Sequence, residues 1–346
     1  QVAKEQLTDF LQMLVEQATN RWFNMQLNKN DLKKYPFKNI EMHDGSTLRC
    51  HPKLVSVFKS RFTKTTPSAI EIHLTLNLLT GVASYCGIDA DKESERHYQP
   101  YSYELKNTLV LMDAGYFDIK YCHEIDINQG FYIIRAKRNI KPNIENAYDA
   151  QGKLITSLTG KSVKYLRLQQ GEMMDLDVSW DKYDGKLRLI ALWYQRKKSV
   201  NYLMSNLKRE QVSLIEMIEL YGLRWQIELF FKELKSYSSL KTLSTTNPQI
   251  VRSMVFSSLL TLILKRYIGL SSGLIHNVFI STQKTARVTP EWIVGFIQAL
   301  LQPSQLLTEI TNMTEFLAKN AKRAHLKRDR ENLLLRLGLN IYPVLN

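Results

Sequence analysis

The sequence predicts an α/β chain: a mixed sheet with helices, interrupted by a β-rich insertion and followed by a C-terminal helical region. Three observations carry this. Residues 69–79 alternate, with Ile70, Ile72, Leu74, Leu76 and Leu78 set against Glu71, His73, Thr75 and Asn77, the period-2 pattern of a strand. Thr108–Met112 and Phe131–Ala136 are short apolar runs of strand length. From Arg209 onward the apolar spacing turns helical and stays so to the C-terminus. The chain has 346 residues, enough for about two domains.

The elements follow in chain order. Leu7, Phe10, Leu11, Leu14 and Val15 recur at helical spacing, so residues 1–36 read as a helical N-terminal segment closed by Pro36. Residues 37–137 hold the first part of the core. It opens on a strand, Phe37–Met42, and Asp44-Gly45 after that run reads as a strand end or turn. Residues 83–107 are polar and read as a helix with loops. Residues 138–206, with 12 basic and 7 acidic residues, form the insertion. Its strands are expected at Val163–Leu168, Leu176–Trp180 and Leu187–Trp193, with Asp184-Gly185 as the hairpin turn between the last two. Residues 207–248 return to the core as a helix, and Leu203–Leu207 closes the insertion before it. Residues 249–346 are helical throughout, punctuated by Pro290 and Pro303.

Charge narrows the partner. Lys plus Arg number 47 against 33 Asp plus Glu, a net charge of +14, which favours a polyanion. Residues 251–346 hold 12 basic and 5 acidic residues, densest from Lys319 to Arg330. Cys50, Cys86 and Cys122 are isolated, which excludes a disulfide scaffold and suits a reducing, cytoplasmic compartment. Cys122-His123 lacks a second pair at zinc spacing. Met254–Leu264 is bounded by Arg252 and Lys265, short of the roughly 20 apolar residues a membrane crossing needs. It reads as a buried helix. The chain begins at Gln1 without a Met and without a signal-peptide core, as a trimmed portion of something longer would.

Tyr221 to Lys235 is the most informative segment. On one continuous helix at 100° per residue, Tyr221, Arg224, Glu228 and Lys235 share a stripe roughly 60° wide. Leu223, Ile227, Phe230, Phe231 and Leu234 form the adjoining apolar face. Taken alone, Arg224 and Glu228 are an ordinary i,i+4 pair of a solvated face. Trp225 falls away from the apolar face, where it either stacks on a base or packs on another domain. Asp44 and Asp113 both follow apolar strands, and each alone is an ordinary turn or cap residue. Together with Glu228 they offer carboxylates to hard divalent ions. A pair of such ions roughly 3.5–4 Å apart supports in-line phosphoryl displacement. Asp89, Asp91, Asp118 and Glu233 are weaker candidates, the first two in a charged, loop-like stretch. Strand alternation turns His43 away from Asp44.

At these residues the chain resembles the DDE transposases of bacterial insertion sequences, within the fourth insertion-sequence family. Its signature, Tyr-(2)-Arg-(3)-Glu-(6)-Lys, is matched without a gap by Tyr221, Arg224, Glu228 and Lys235. Asp44-Gly45-Ser46 resembles the first aspartate block of that family. Asp113-Ala114-Gly115-Tyr116-Phe117, followed by Phe131–Arg135, resembles the second. The resemblance covers roughly residues 38–240. It implies an RNase H-like core, with Asp44, Asp113 and Glu228 as catalytic residues holding two Mg²⁺ or Mn²⁺ ions. It also implies Tyr221, Arg224 and Lys235 on DNA, with Trp225 stacking beside them. The implied reaction is cut-and-paste transposition: strand cleavage at element ends, hairpin formation and strand transfer. The implied partners are double-stranded DNA, as terminal inverted repeats and target, and a second copy in a synaptic complex. The implied location is the bacterial cytoplasm at the nucleoid, with no membrane partner. Two other readings use the same fold: a non-catalytic DNA-binding descendant, and a structure-selective nuclease.

Overall fold

A computed structural model describes residues 2–26, 32, 34–81, 83–180, 183–195, 198–237, 240, 243–323 and 337. In chain order the elements are α1 (Val2–Gln26), β1 (Asn39–Arg49), β2 (Ala69–Asn77), β3 (Ala83–Ala90), β4 (Thr108–Met112), α2 (Ile119–Ile127), β5 (Phe131–Ala136), β6 (Asn143–Tyr148), β7 (Met173–Trp180), β8 (Tyr183–Tyr194), β9 (Ser199–Ser205), α3 (Leu214–Gly222), α4 (Trp225–Tyr237), α5 (Pro248–Ile275), α6 (Thr282–Leu301) and α7 (Pro303–Asn320). They fall into two compact units. The first comprises Gln1–Asn28, Gly45–Glu93 and Gln226–Asn346, the second Lys29–Asp44 and Ser94–Trp225.

In the second unit the strand order is β1-β4-β5-β9-β8-β7-β6. β1 runs parallel to β4 and β4 parallel to β5, while β9, β8, β7 and β6 continue antiparallel. The insertion therefore extends the core sheet rather than building a separate one. Val110, Met112, Tyr132 and Ile134 share one apolar core with Leu176, Val178, Leu189 and Met204. In the first unit β3 pairs antiparallel with β2, and β2 neighbours β1.

Several local expectations change. β1 does not end at Asp44-Gly45; it continues to Arg49, and Asp44 stands mid-strand. Residues 83–90 form β3 rather than a helix. β2 is buried at every position, Glu71 and His73 included, because its polar face is covered too. Val163–Leu168 is not a strand: Val163–Tyr165 makes a single 3-10 turn, and Val163, with Leu166 and Leu168 after it, joins the core. Asp184-Gly185 lies inside β8, and pairing of Trp180 with Tyr183 places the connection before it. Pro290 sits within α6 instead of ending a helix. It has no N–H to give to the preceding turn. One residue earlier, Thr289 Oγ1 donates to the Thr285 carbonyl at 3.0 Å. The run Lys319–Arg330 lies outside the described residues beyond Arg323.

The helices of the first unit pack α1, α6 and α7 around α5. α1 buries Thr8, Val15 and Thr19, leaving Leu7 and Phe10 half exposed, a stripe rotated from the expected one. Thr8 Oγ1 and Ser253 Oγ share a hydrogen bond of 2.8 Å, and Thr19 Oγ1 donates to the Ala83 carbonyl at 3.0 Å. α5 extends well beyond Met254–Leu264. By length and composition alone it is apolar enough to cross a membrane, but 44% of its most apolar window is buried inside the protein. It is the central helix of its unit. Cys50, Cys86 and Cys122 are free thiols, and burial pushes Cys50 up to about 11.

Candidate active site

The parallel register of β1 and β4 determines where the two aspartates emerge. His43 pairs with Met112; Asp44 is the next residue within β1, and Asp113 is the first residue past the end of β4. Neighbouring strands are about 4.8 Å apart, so the register brings the backbone at Asp44 close to the end of β4. His43 itself is fully buried, its ring edge-on to Tyr116 with centroids 4.7 Å apart.

Each aspartate has a guanidinium partner. Arg224 Nη1 donates to Asp44 Oδ2 at 2.7 Å, and Arg135 Nη1 to Asp113 Oδ1 at 3.3 Å. The Arg224 guanidinium also lies 5.9 Å from the centre of the Tyr221 ring. Burial, and next the Asp113 charge, push the Tyr221 phenol well above its ordinary value; Arg224 and Arg135 oppose this. Asp44, Asp113, Arg135, Tyr221 and Arg224 thus form one electrostatic group within the second unit. Arg135 was not singled out from the sequence. Its signal was a lone charge closing the otherwise apolar run Phe131–Ile134. Trp225 is 43% exposed.

The helix expected over 209–235 is two helices. Ser213 caps α3 in a capping box with Glu216. After Gly222 the turn tightens, Leu223 N–H bonding the Leu220 carbonyl and Arg224 N–H that of Tyr221, and α4 starts afresh at Trp225. Tyr221 lies in α3, Arg224 in the turn between the helices, and Glu228 in α4. Within α4 the wheel holds: Glu228 and Lys235, seven residues apart, fall on one stripe. Ile227, Phe230 and Leu234 are buried.

In the first unit Glu228 is part-buried in the opening turn of α4. Lys235 Nζ donates to the Thr47 carbonyl at 2.9 Å, and burial lowers its ammonium below the ordinary range. Thr47 Oγ1 donates to Asp91 Oδ1 at 2.8 Å. Asp91 is not a loop residue in solvent: it is fully buried and also accepts from Ser60 Oγ and the Arg61 backbone N–H. Glu233 is buried against Arg266.

Among the described residues no group of three or more His, Cys, Asp or Glu is gathered to hold a metal ion. The aspartate pair has the right donor chemistry for a hard cation, carboxylate oxygens on one strand and just past the end of its neighbour.

A mixed sheet with helices places the chain in the α/β class that the sequence predicts. The family model "Transposase DDE domain" matches residues 36–264, and the chain belongs to that family. It is 26% identical over 278 residues to the transposase for insertion sequence element IS1151 of Clostridium perfringens, covering 68% of this chain and 58% of that protein. It is 20% identical over 339 residues to the transposase for IS231E of Bacillus thuringiensis subsp. finitimus, covering 84% and 70%. The chain thus spans under two thirds of the clostridial relative. Among solved structures, a piggyBac transposase synaptic complex with hairpin DNA shares 11% identity at a TM-score of 0.43, covering 89% of this chain and 58% of that one.

Proposed function

We propose that this chain is the catalytic region of a DNA transposase, cutting DNA at the ends of a mobile element and joining the freed ends to target DNA. Asp44, Asp113 and Glu228 are the carboxylates that hold divalent metal, two Mg²⁺ or Mn²⁺ ions in this reading. Bound there, the ions would supply an activated attacking oxygen and stabilise the leaving one. The observation that supports the reading is the parallel β1–β4 register, His43 against Met112, with Asp44 and Asp113 next in sequence after that pair, within a chain of the transposase DDE family.

In the first step a water oxygen bonds to the scissile phosphorus, the P–O3′ bond breaks, and the 3′ oxygen leaves with a proton. The new 3′-hydroxyl oxygen then bonds to a second phosphorus, on the opposite strand to give a hairpin or in the target to give the joined product; the P–O3′ bond there breaks, and its 3′ oxygen leaves carrying the proton that the attacking hydroxyl gives up. The protein's part is to hold the phosphate in line and to compensate its charge. Tyr221, Arg224 and Lys235 serve this role on the DNA beside the carboxylates, with Trp225, exposed on the start of α4, available to stack on a base. In this reading residues 37–137 and 207–248 make the core, 138–206 the insertion and 249–346 the helical region after it. Two copies pair two element ends in one synaptic complex at the bacterial nucleoid.

The test is cleavage of a supercoiled plasmid bearing candidate element ends in Mg²⁺, for the chain and for Glu228→Gln. Metal-dependent nicking or hairpin formation that disappears in the variant supports the reading. Salt-dependent DNA binding with no cleavage by the unaltered chain, in Mg²⁺ or Mn²⁺, moves the conclusion to a non-catalytic DNA-binding protein.

A further inference from the structure

The connection between β1 and β2, in the first unit, has no part in the chemistry above. From Gly45 to Ile70 the chain carries Arg49, Lys53, Lys59, Arg61 and Lys64 and not one Asp or Glu. Burial sorts these side chains. Leu54 and Phe58 are buried anchors, whereas Phe62 is 64% exposed and Val57 50%. Lys53, Lys59 and Lys64 are all exposed.

The loop is braced from within. Ser60 Oγ donates to Asp91 Oδ2 at 3.1 Å, and Arg61 Nε to Asp91 Oδ1 at 3.1 Å. Arg61 also pairs with Glu71 through Nη2. The Phe62 carbonyl accepts from the N–H groups of Thr65 and Thr66 at 3.1 and 2.9 Å, closing the tip, and the Lys59 carbonyl accepts from Lys92 N–H at 3.0 Å. The Arg252 guanidinium lies 5.5 Å from the centre of the Phe58 ring. Arg61 is thus engaged by buried acids, and the three lysines are left on a fixed frame facing water, with one aromatic ring at the tip.

We propose that residues 52–66 form a surface for duplex DNA. Lys53, Lys59 and Lys64 take backbone phosphates, and Phe62 packs against the sugars at the groove edge. Fixed lysines with no acid among them match a regular polyanion. A lone exposed ring does not make the succession of stacking platforms that binds single strands. The proposal takes only the partner class, DNA, from the function above.

It is tested by equilibrium binding of a short random-sequence duplex in EDTA, so that no cleavage is needed. In Lys53→Ala/Lys59→Ala/Lys64→Ala, the slope of log K against log salt becomes shallower by about 2–3, near one per lost phosphate contact. Phe62→Ala weakens binding without changing the slope. Lys120→Ala, a highly exposed lysine of the other unit, serves as control and leaves the slope unchanged. The lysines are exposed, so the thermal midpoint of the triple variant stays at that of the parent. An unchanged slope in the triple variant, or equal losses for a single-stranded oligonucleotide, overturns the proposal. A chain that cuts its element ends but shows no loop dependence refutes this surface alone. A chain that shows the loop dependence and never cuts refutes the transposase chemistry alone.

Discussion

Arg224 and Asp44, 180 residues apart in the chain, meet at 2.7 Å between Nη1 and Oδ2. The guanidinium neutralises the Asp44 carboxylate, the charge-balancing job a divalent ion would also do. With Asp44 as a metal ligand, as proposed, arginine and metal compete for it. In Arg224→Ala the Mg²⁺ concentration that half-saturates cleavage should fall about fivefold, the equivalent of about 1 kcal/mol for a part-exposed ion pair. The rate at saturating metal should fall as well, because the phosphate contact proposed for Arg224 is lost. Half-saturation that stays put or rises would show that the guanidinium does not oppose the metal.

His73 is predicted to make the first unit sensitive to mild acid. Burial pushes its imidazole down to about 4, with Asp89 opposing and Arg61 reinforcing the shift. Glu71 lies 3.9 Å away but is already paired with Arg61, which blunts its pull on a proton. The folded value lies below the unfolded one, near 6.5. The contribution to stability is therefore full above that value and is lost as pH falls toward 4. Between pH 7 and 5 the loss should be about 2 kcal/mol. Urea midpoints across that range, compared with His73→Met, isolate it; equal pH dependence in the two proteins would rule it out.

How far the fold could be read from the sequence depended on how local each signal was. The alternation of 69–79 and the runs at 108–112 and 131–136 became strands because a strand's period shows in its own side chains. The signature residues were legible by spacing, but their geometry was not. The restart of α4 at Trp225 is a backbone event after Gly222 that a continuous wheel does not register. Asp91 looked like a loop acid because the groups that bury it, Thr47, Ser60 and Arg61, lie 30 to 44 residues away. The same holds for Arg135, whose meaning depends on its reach to Asp113. β1 outran its Asp-Gly turn signal because Gly45–Arg49 stay in the strand while Thr47 binds both Asp91 and Lys235.

Glu233 and Arg266 form a buried ion pair that joins α4 to α5. Arg266 Nε donates to Glu233 Oε2 at 2.9 Å, and Nη1 donates to the Gly81 carbonyl at 2.6 Å. Thr282 Oγ1 donates to the other Glu233 oxygen at 2.7 Å, and the guanidinium rests 4.5 Å from the centre of the Phe230 ring. Removing one partner strands the other charge in the interior, at a cost of about 3–5 kcal/mol. Arg266→Ala should lose that much in urea unfolding. Arg266→Met/Glu233→Met, which removes both charges, should recover most of it. If the double variant is no better than the single, the cost is lost packing rather than a stranded carboxylate.

Two glycines separate close packing from spare room. At Gly269 on α5 an added Cβ would lie 2.6 Å from Thr285 Oγ1 and 2.9 Å from its methyl group. Thr285 is fully buried on α6, its hydroxyl bonded to the Ser281 carbonyl at 3.1 Å, so it has nowhere to turn. Gly269→Ala must push α5 and α6 apart and should cost about 1–3 kcal/mol, even though alanine is the better helix former. At Gly115 the nearest atom to an added Cβ is the Glu95 carboxylate oxygen, at 1.6 Å. That clash is closer, yet it involves the far end of a flexible side chain, which can shift at the expense of its own contacts, and Gly115→Ala should cost less than Gly269→Ala, about 0.5–1 kcal/mol. Thermal or urea unfolding of the two variants decides between distance and compliance. If Gly115→Ala proves the costlier of the two, the Glu95 carboxylate is fixed in place and compliance was misjudged.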